Sequence, residues 1–118
     1  MKHFAISEFK CGCCGMAQMD RDFLDRLDRA RGLAAIPFTV TSGYRCKAHN
    51  KSVGGSVTSS HVKGLAADIH CTTAADRYLI INALLNAGFT RMGIGPDFIH
   101  VDDDRDKTPG VIWLYSGD

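Results

Sequence analysis

Two short segments, far apart in the sequence, constrain the fold most, because each carries groups that bind divalent metals. The first contains His61 and Asp68, and the second places His100 in an apolar stretch over residues 98–102. Two imidazoles and one carboxylate, with a fourth position left open, are typical of a catalytic zinc site. Taken singly, each histidine is also compatible with a hydrogen-bonded core or surface residue. As a set, they predict a fold that brings the two segments together around a metal ion.

Length and charge narrow the class of protein. The chain has 118 residues, which fits a single domain over residues 1–118 with its own core. Its 14 Lys and Arg residues nearly balance 13 Asp and Glu residues, so we expect no nucleic-acid partner and no membrane surface. No apolar run is long enough to span a membrane, and the N-terminus lacks the apolar core of a signal peptide. We therefore expect a chain that is cytoplasmic as synthesised.

The cysteines form an unusual pattern near the start of the chain. Cys11, Cys13 and Cys14 lie within four positions, and the total of five cysteines is odd. One interpretation is a thiolate metal or redox site, for which only Cys46 and Cys71 could supply a missing ligand. The other is that the thiols are small apolar residues beside turn glycines.

Apolar periodicity predicts two main helices. Residues 20–30 carry an amphipathic stripe, with Asp20 as the N-cap, Gly32 as the stop and a charged face that we expect to be solvated. Thr73 begins a capping box followed by an apolar run to Ala87, which predicts a largely buried helix. A shorter helix is predicted at residues 46–53.

The strands are predicted mostly in the second half of the chain. Alternation and β-branched or aromatic content favour strands at residues 36–41, 65–70, 89–94, 98–102 and 111–115. Polar and small residues at 56–60 predict a loop that, with residues 103–109, shapes the substrate pocket. Together these elements predict an α+β fold with an antiparallel sheet and flanking helices.

A hydrolytic metal site also requires a proton acceptor and a cationic or hydrogen-bonding group for the developing negative charge. Asp97 precedes His100 by three residues and could curl over the metal from the turn. Asp102 follows His100 by two residues on the same strand face, where it could accept the proton or orient the histidine. Arg45 can hold a carboxylate through two parallel hydrogen bonds, although a surface arginine is the simpler interpretation.

Other polar and aromatic residues receive weaker interpretations. His70 would share a strand face with Asp68 and is a rival third ligand or a substrate-facing residue. The acidic run at 102–106 lacks the spacing of a calcium loop and is interpreted as a solvated turn. Trp113 and Tyr115 are interpreted as core or rim aromatics.

A longer pattern resembles a known family. The motif Ser59-x-His61-x-x-Gly64-x-Ala66-x-Asp68 is similar to the signature of the D-Ala-D-Ala carboxypeptidase-like zinc peptidases, which include bacterial carboxypeptidases, phage peptidoglycan endopeptidases and the hedgehog-type peptidase fold. The resemblance extends over most of the chain. Its further parts are residues 42–45, His49-Asn50, Gly54-Gly55 and 98–102, and the start Phe9-x-Cys11-x-Cys13 resembles that of small single-domain members.

This resemblance implies one Zn²⁺ per chain, held by His61, Asp68 and His100, and a substrate-stabilising role for Arg45. It also implies hydrolysis of a peptide bond in peptidoglycan stem peptides. Many relatives place an acidic residue three before the last histidine, which favours Asp97 as the base and leaves Asp102 as the alternative. Exo or endo cleavage and the stereochemistry of the bond stay open.

The expected function is therefore that of a cell-wall peptidase. Without an export signal, it would be a phage-type lytic enzyme released by a holin or carried in a virion, or an enzyme acting on recycled wall peptides. The alternative from another class is a non-catalytic module of the same fold that retains zinc and binds a peptide or a protein partner. The sequence does not indicate an oligomeric state.

Overall fold

The computed structural model of the protein describes residues 1–55 and 59–115. Residues 56–58 of the predicted pocket loop lie outside this part of the chain. After a 3₁₀ turn at Ile6–Phe9, the elements in order are α1 (Arg21–Ala34), β1 (Val40–Ser42), α2 (Lys47–Ser52), β2 (Ala66–His70), α3 (Ala74–Asn86), β3 (Arg91–Ile94), β4 (Phe98–Asp102) and β5 (Val111–Leu114).

The strands form one five-stranded sheet in the order β1-β2-β4-β3-β5. All neighbours are antiparallel except β3 and β5, which are parallel. The α+β prediction is confirmed, with this one parallel pair as the difference from an antiparallel sheet. The segment at 103–110 reverses the chain after β4, so that β5 runs opposite to β4 and in the same direction as β3.

Strand alternation gives the sheet one apolar face and one polar face. The apolar face packs in a core with side chains of α1 and α3, such as Phe23, Leu27 and Leu84. Its strand residues have no exposed surface and are Ala67, Ile69, Met92, Ile99 and Val101. The polar face carries Asp68 and His100, so the predicted metal site lies on the side of the sheet away from this core.

Helix α1 begins where predicted, but it ends later than predicted. The Asp20 side chain caps it as predicted, accepting the Phe23 N–H at 2.9 Å. Gly32 does not end the helix, which continues to Ala34 and stops at Ala35 in a left-handed conformation with φ of 58°. At Gly32 the helix packs against the His3 ring, where a Cβ would lie 3.0 Å from Nε2.

The charged face of α1 is not wholly solvated. Asp28 is buried and accepts the backbone N–H groups of Lys2, His3 and Phe4 at 3.0, 2.7 and 3.1 Å. Burial raises the pKa of Asp28, but these three donors lower it below its usual value. Asp28 therefore holds the N-terminal segment on α1.

Helix α3 is less buried than predicted, because only three of its nine apolar residues are buried. Ile80, Ala83 and Leu84 are buried, whereas Tyr78 is 70% exposed and Leu85 is 51% exposed. The helix covers the sheet with one side, and none of the described elements covers its other side. Among the described residues, no helix is both long and apolar enough to cross a membrane.

The acidic segment at the end of β4 and after it is partly buried and hydrogen-bonded. Asp104 is only 2% exposed and accepts hydrogen bonds from Ser60 Oγ at 2.8 Å and Lys63 Nζ at 2.9 Å. Asp102 is equally buried, so the interpretation of 102–106 as a solvated turn is wrong at these two positions. Asp104 fastens the turn that contains His61 to the chain beyond β4.

This arrangement predicts an acid-sensitive contribution to stability from Asp104. Burial raises its pKa, but hydrogen bonds from Lys63 and Ser60 lower it to about 2. Because the folded pKa lies below the unfolded value, this stabilisation is present above about pH 4 and is lost as the pH falls towards 2. We expect Asp104→Asn to lower the free energy of unfolding by about 1–3 kcal/mol near neutral pH and to flatten its dependence on pH between 4 and 2.

Urea denaturation of the metal-free protein at a series of pH values would measure both effects. Asp106→Asn is the matched control, because the Asp106 side chain also contacts Lys63 but is 84% exposed. A pH profile for Asp104→Asn that is parallel to the wild-type profile would contradict this role.

Candidate metal centre

Asp68 and His100 face each other across the paired strands β2 and β4. His100 Nδ1 lies 2.9 Å from Asp68 Oδ1, and His61 Nε2, from the turn before β2, lies 3.3 Å from the same oxygen. One potential ligand atom from each of the three residues lies within 4.8 Å of the other two. The fold thus brings together the three residues that the sequence predicts as metal ligands.

The backbone orients the His61 ring. His61 Nδ1 lies 2.8 Å from the Gly43 carbonyl oxygen, so Nδ1–H donates to it and the Nε2 lone pair is directed towards Asp68. Gly43 itself packs against the backbone of Phe9, where a Cβ would lie 2.7 Å from Cα. A hydrogen bond that holds the second ring nitrogen is a regular feature of metal-binding histidines.

Asp102 orients the His100 ring in the same way. His100 Nε2 donates to Asp102 Oδ2 at 2.7 Å, which leaves Nδ1 facing Asp68. The Asp102 carboxylate also accepts from Arg91 Nε at 2.7 Å and from the Asp104 N–H at 3.1 Å. The imidazole ring therefore stands between Asp102 and the centre of the site.

The electrostatics of the cluster favour a bound cation. Burial raises the pKa of Asp68, but hydrogen bonds from His100 and His61 hold it well below its usual range. Burial lowers the pKa of His100, yet the carboxylates of Asp102 and Asp68 raise it overall. Two oriented nitrogens and an ionised carboxylate oxygen match the ligand preference of Zn²⁺, so these residues fit that ion.

The cluster forms the floor of a cavity of about 340 Å³. Cationic side chains and aromatic rings make up much of its wall. The lining residues beyond the three of the floor are Arg45, Ser59, Ser60, Arg91, Phe98, Asp102, Lys107, Trp113 and Tyr115. The wall is therefore suited to a ligand with both a negative charge and apolar parts.

Arg45 lies at the edge of the cluster. Its Nη2 is 3.9 Å from Asp68 Oδ2, and its Nε and Nη1 donate to Ser42 Oγ at 3.2 Å and Asn50 Oδ1 at 3.3 Å. These contacts fix the guanidinium beside the cavity while it stays partly exposed. The structure thus places Arg45 in the cavity wall beside Asp68.

Asp97 occupies a different position from the other predicted residues. It is exposed on the turn between β3 and β4, its carbonyl accepts the Cys71 N–H at 2.9 Å, and it is not among the residues that line the cavity. Strand alternation explains this, because a residue three before His100 is out of phase with it. His70 is also exposed and outside the cavity lining, although it shares a strand face with Asp68.

The sequence analysis missed the part that β5 plays in the site. Trp113 and Tyr115 lie beside His100, with ring centroids 5.7 and 6.3 Å from its own. Gly93, opposite His100 on β3, makes room for them, since a Cβ there would lie 2.5 Å from Trp113 Nε1 and 2.4 Å from Tyr115 Cε2. A glycine inside a strand is the signal that could have indicated this close approach.

A three-ligand donor set on the floor of a cavity with cations in its wall defines a site of the metal-dependent hydrolase type. The family model described as Peptidase M15 matches residues 2–102. The chain belongs to this family, the D-Ala-D-Ala carboxypeptidase-like zinc peptidases, so the resemblance seen in the sequence is confirmed. No curated protein sequence matches the chain. The family match ends at Asp102, and β5 lies beyond it.

The position of Asp102 behind His100 predicts an effect on metal affinity. Asp102→Asn should weaken zinc binding about 10- to 100-fold, because the amide is a poorer acceptor and leaves the ring less firmly oriented. Competition with a chromophoric chelator would measure the affinity. Asp103→Asn is the control, since Asp103 is adjacent but pairs with Arg26 at 3.2 Å. Equal zinc affinities for the two variants would exclude this role of Asp102.

Proposed function

We propose that the protein is a zinc-dependent peptidase that hydrolyses an amide bond in peptidoglycan stem peptides. The observation that carries the proposal is the convergence of His61, Asp68 and His100 on the floor of a cavity with Arg45 at its edge. Membership of the Peptidase M15 family supports the peptidase activity, and the cell-wall substrate is our inference from the resemblance and the cavity.

His61, Asp68 and His100 would hold the zinc ion. Bound there, zinc would act as a Lewis acid, which polarises a carbonyl group and lowers the pKa of water. The Gly43 carbonyl and the Asp102 carboxylate keep the two imidazole rings in the required tautomers and orientations. Holding these groups in place before the substrate arrives limits the reorganisation that the reaction requires.

Arg45 is proposed to bind negative charge on the substrate. A guanidinium donates two parallel hydrogen bonds to a carboxylate, or to the oxygen on which charge develops during amide hydrolysis. Stem peptides end in a carboxylate, which provides such a partner. Because Ser42 and Asn50 hold two of its nitrogens, Arg45 would bind this group with little loss of side-chain freedom.

The aromatic wall is proposed to contact the apolar parts of the peptide. Trp113 and Tyr115 stand next to each other at a centroid distance of 6.1 Å and close one side of the cavity. Burial, together with the charges of Asp68 and Asp102, raises the pKa of Tyr115, so its phenol stays protonated and can donate a hydrogen bond. This wall would also exclude water from one side of the bound peptide.

Two aspartates close to His100 in the sequence, Asp97 and Asp102, are the candidates for proton transfer. Asp102 is enclosed by His100, Arg91 and the Asp104 N–H, which suits a positioning residue better than a proton acceptor. Asp97 stays the predicted acceptor, and this role requires its carboxylate to turn from solvent towards the cavity mouth beside Phe98. Asp97→Asn separates the two possibilities, because it removes a base without touching a ligand.

We expect Asp97→Asn to lower kcat at least about 100-fold while zinc content is unchanged. Single-turnover assays on a stem peptide with zinc measured on the same sample would test this. The exposed Asp106→Asn variant is the control for loss of one surface carboxylate. Unchanged turnover by Asp97→Asn would remove Asp97 from the mechanism.

Arg45→Lys should lower kcat/KM by about 10- to 100-fold, because an ammonium group cannot make the two parallel hydrogen bonds of a guanidinium. Arg105→Lys is the matched control, since Arg105 is exposed and does not line this cavity. An amidated peptide lacking the terminal carboxylate would show which group Arg45 binds. If the variant and the wild type hydrolyse both peptides equally well, the proposed role of Arg45 is incorrect.

Digestion of purified peptidoglycan with the zinc-loaded protein tests the proposed function itself. Mass spectrometry would measure the masses of the released products. We expect a chelator to abolish release and added zinc to restore it, and the product masses to identify the cleaved bond. His61→Ala is the inactive control. Zinc bound at the histidine site without cleavage of any wall peptide would refute the peptidase and favour the peptide-binding module.

A further inference from the structure

Four cysteine thiols gather at a place distinct from the histidine and aspartate site. Cys11 Sγ lies 3.7 Å from Cys46 Sγ, and the sulfurs of Cys11, Cys14 and Cys46 all lie within 4.8 Å of one another. Cys13 lies on the same turn as Cys11 and Cys14, and its thiol is near that of Cys46. All four are free thiols. The three cysteines that are close in sequence thus meet a fourth from the start of α2.

The backbone around the thiols is arranged as a tight turn. The Cys11 N–H donates to the Met16 carbonyl at 2.7 Å and the Gly15 N–H to the Cys11 carbonyl at 2.9 Å, with Gly15 at φ of 72°. Cys11 and Cys14 are separated by two residues, which is the spacing of paired ligands in structural zinc sites. The turn therefore presents two sulfurs in the same direction.

Backbone N–H groups point at the sulfurs. The Cys46 N–H approaches Cys11 Sγ at 3.5 Å, and the His49 N–H approaches Cys46 Sγ at 3.4 Å. Such donors stabilise thiolates, the form in which cysteine binds metals.

We propose that Cys11, Cys13, Cys14 and Cys46 bind a second Zn²⁺ ion, which has a structural role. Four thiolates form the closed tetrahedral set of structural zinc sites, and soft sulfur ligands favour zinc over hard cations. Each thiol releases its proton to solvent as its sulfur binds the ion, so no oxidant or reductant is required. The protein would then hold two zinc ions per chain, and this inference does not depend on the proposed peptidase activity.

The position of the thiol cluster indicates which segments the second ion would connect. It would fasten the N-terminal turn to Cys46, the N-cap of α2, which directly follows Arg45. The same junction already has the Tyr44 N–H donating to the Phe9 carbonyl at 2.8 Å. The ion would therefore stabilise the loop that carries Arg45 to the edge of the cavity.

Native mass spectrometry of protein purified without chelators, in a phosphine reductant, would count the ions. We expect two zinc ions in the wild type, one in His61→Ala and one in Cys14→Ser, where Cys14 is exposed and its loss leaves the core intact. Cys71→Ser is the matched control and should keep both ions, because Cys71 donates to the Thr73 carbonyl away from the thiol cluster.

Cobalt substitution gives a second measurement that needs no cysteine variant. Sulfur-to-cobalt charge-transfer bands should appear in the wild type and in His61→Ala, and should weaken strongly in Cys14→Ser. A single zinc in the wild type that Cys14→Ser retains, the absence of sulfur bands, or a Cys11–Cys46 disulfide that persists in the reductant would overturn the proposal. The His49 ring lies beside Gly12 and is the alternative fourth ligand. If Cys13→Ser keeps the second ion and His49→Ala loses it, the assignment of Cys13 as the fourth ligand is wrong.

Discussion

The pairing of Asp68 with His100 across β2 and β4 is the constraint on which the rest of the structure depends. A slip of one residue in this register would turn one of the two side chains to the opposite face of the sheet. What prevents the slip is the other face, where Ile69 is paired with Ile99 and both are fully buried in the core. The hydrophobic core therefore determines the geometry of the polar site on the opposite side of the same strands.

Around this pair, buried carboxylates are neutralised by short hydrogen bonds and ion pairs. Asp102 is shared by His100 and Arg91, and Asp104 is shared by Ser60 and Lys63. No buried side-chain nitrogen or oxygen in the described residues lacks a hydrogen-bond partner. In such a network the removal of one member leaves a buried charge without its partner, which costs more than the lost contact alone. The candidate metal site and the loops that Asp102 and Asp104 hold thus depend on one another for stability.

Sequence reasoning identified the elements that depend on local patterns and missed those that depend on distant partners. Alternation at 65–70 and 98–102 was sufficient to predict β2 and β4, and the fold brings their polar residues together. Burial of Asp28 could not be foreseen, because its partners are backbone N–H groups more than twenty residues earlier in the chain. Asp97 is close to His100 along the chain, but strand phase determines the direction of a side chain, so spacing alone does not predict that its carboxylate lines the cavity. The parallel direction of β5 depends on the path of a loop, which periodicity does not encode.

The cavity is assembled from two parts of the chain with different constraints. Asp68 and His100 of its floor lie on β2 and β4, whose register is fixed by the core. One wall belongs to β5 and the residue after it, and β5 is an edge strand that pairs only with β3. Substitutions in β5 can reshape the wall without moving the residues of the floor. Because the core fixes the strands beneath it and only β3 holds β5, the shape of this cavity can be changed through the last strand alone while Asp68 and His100 keep their positions.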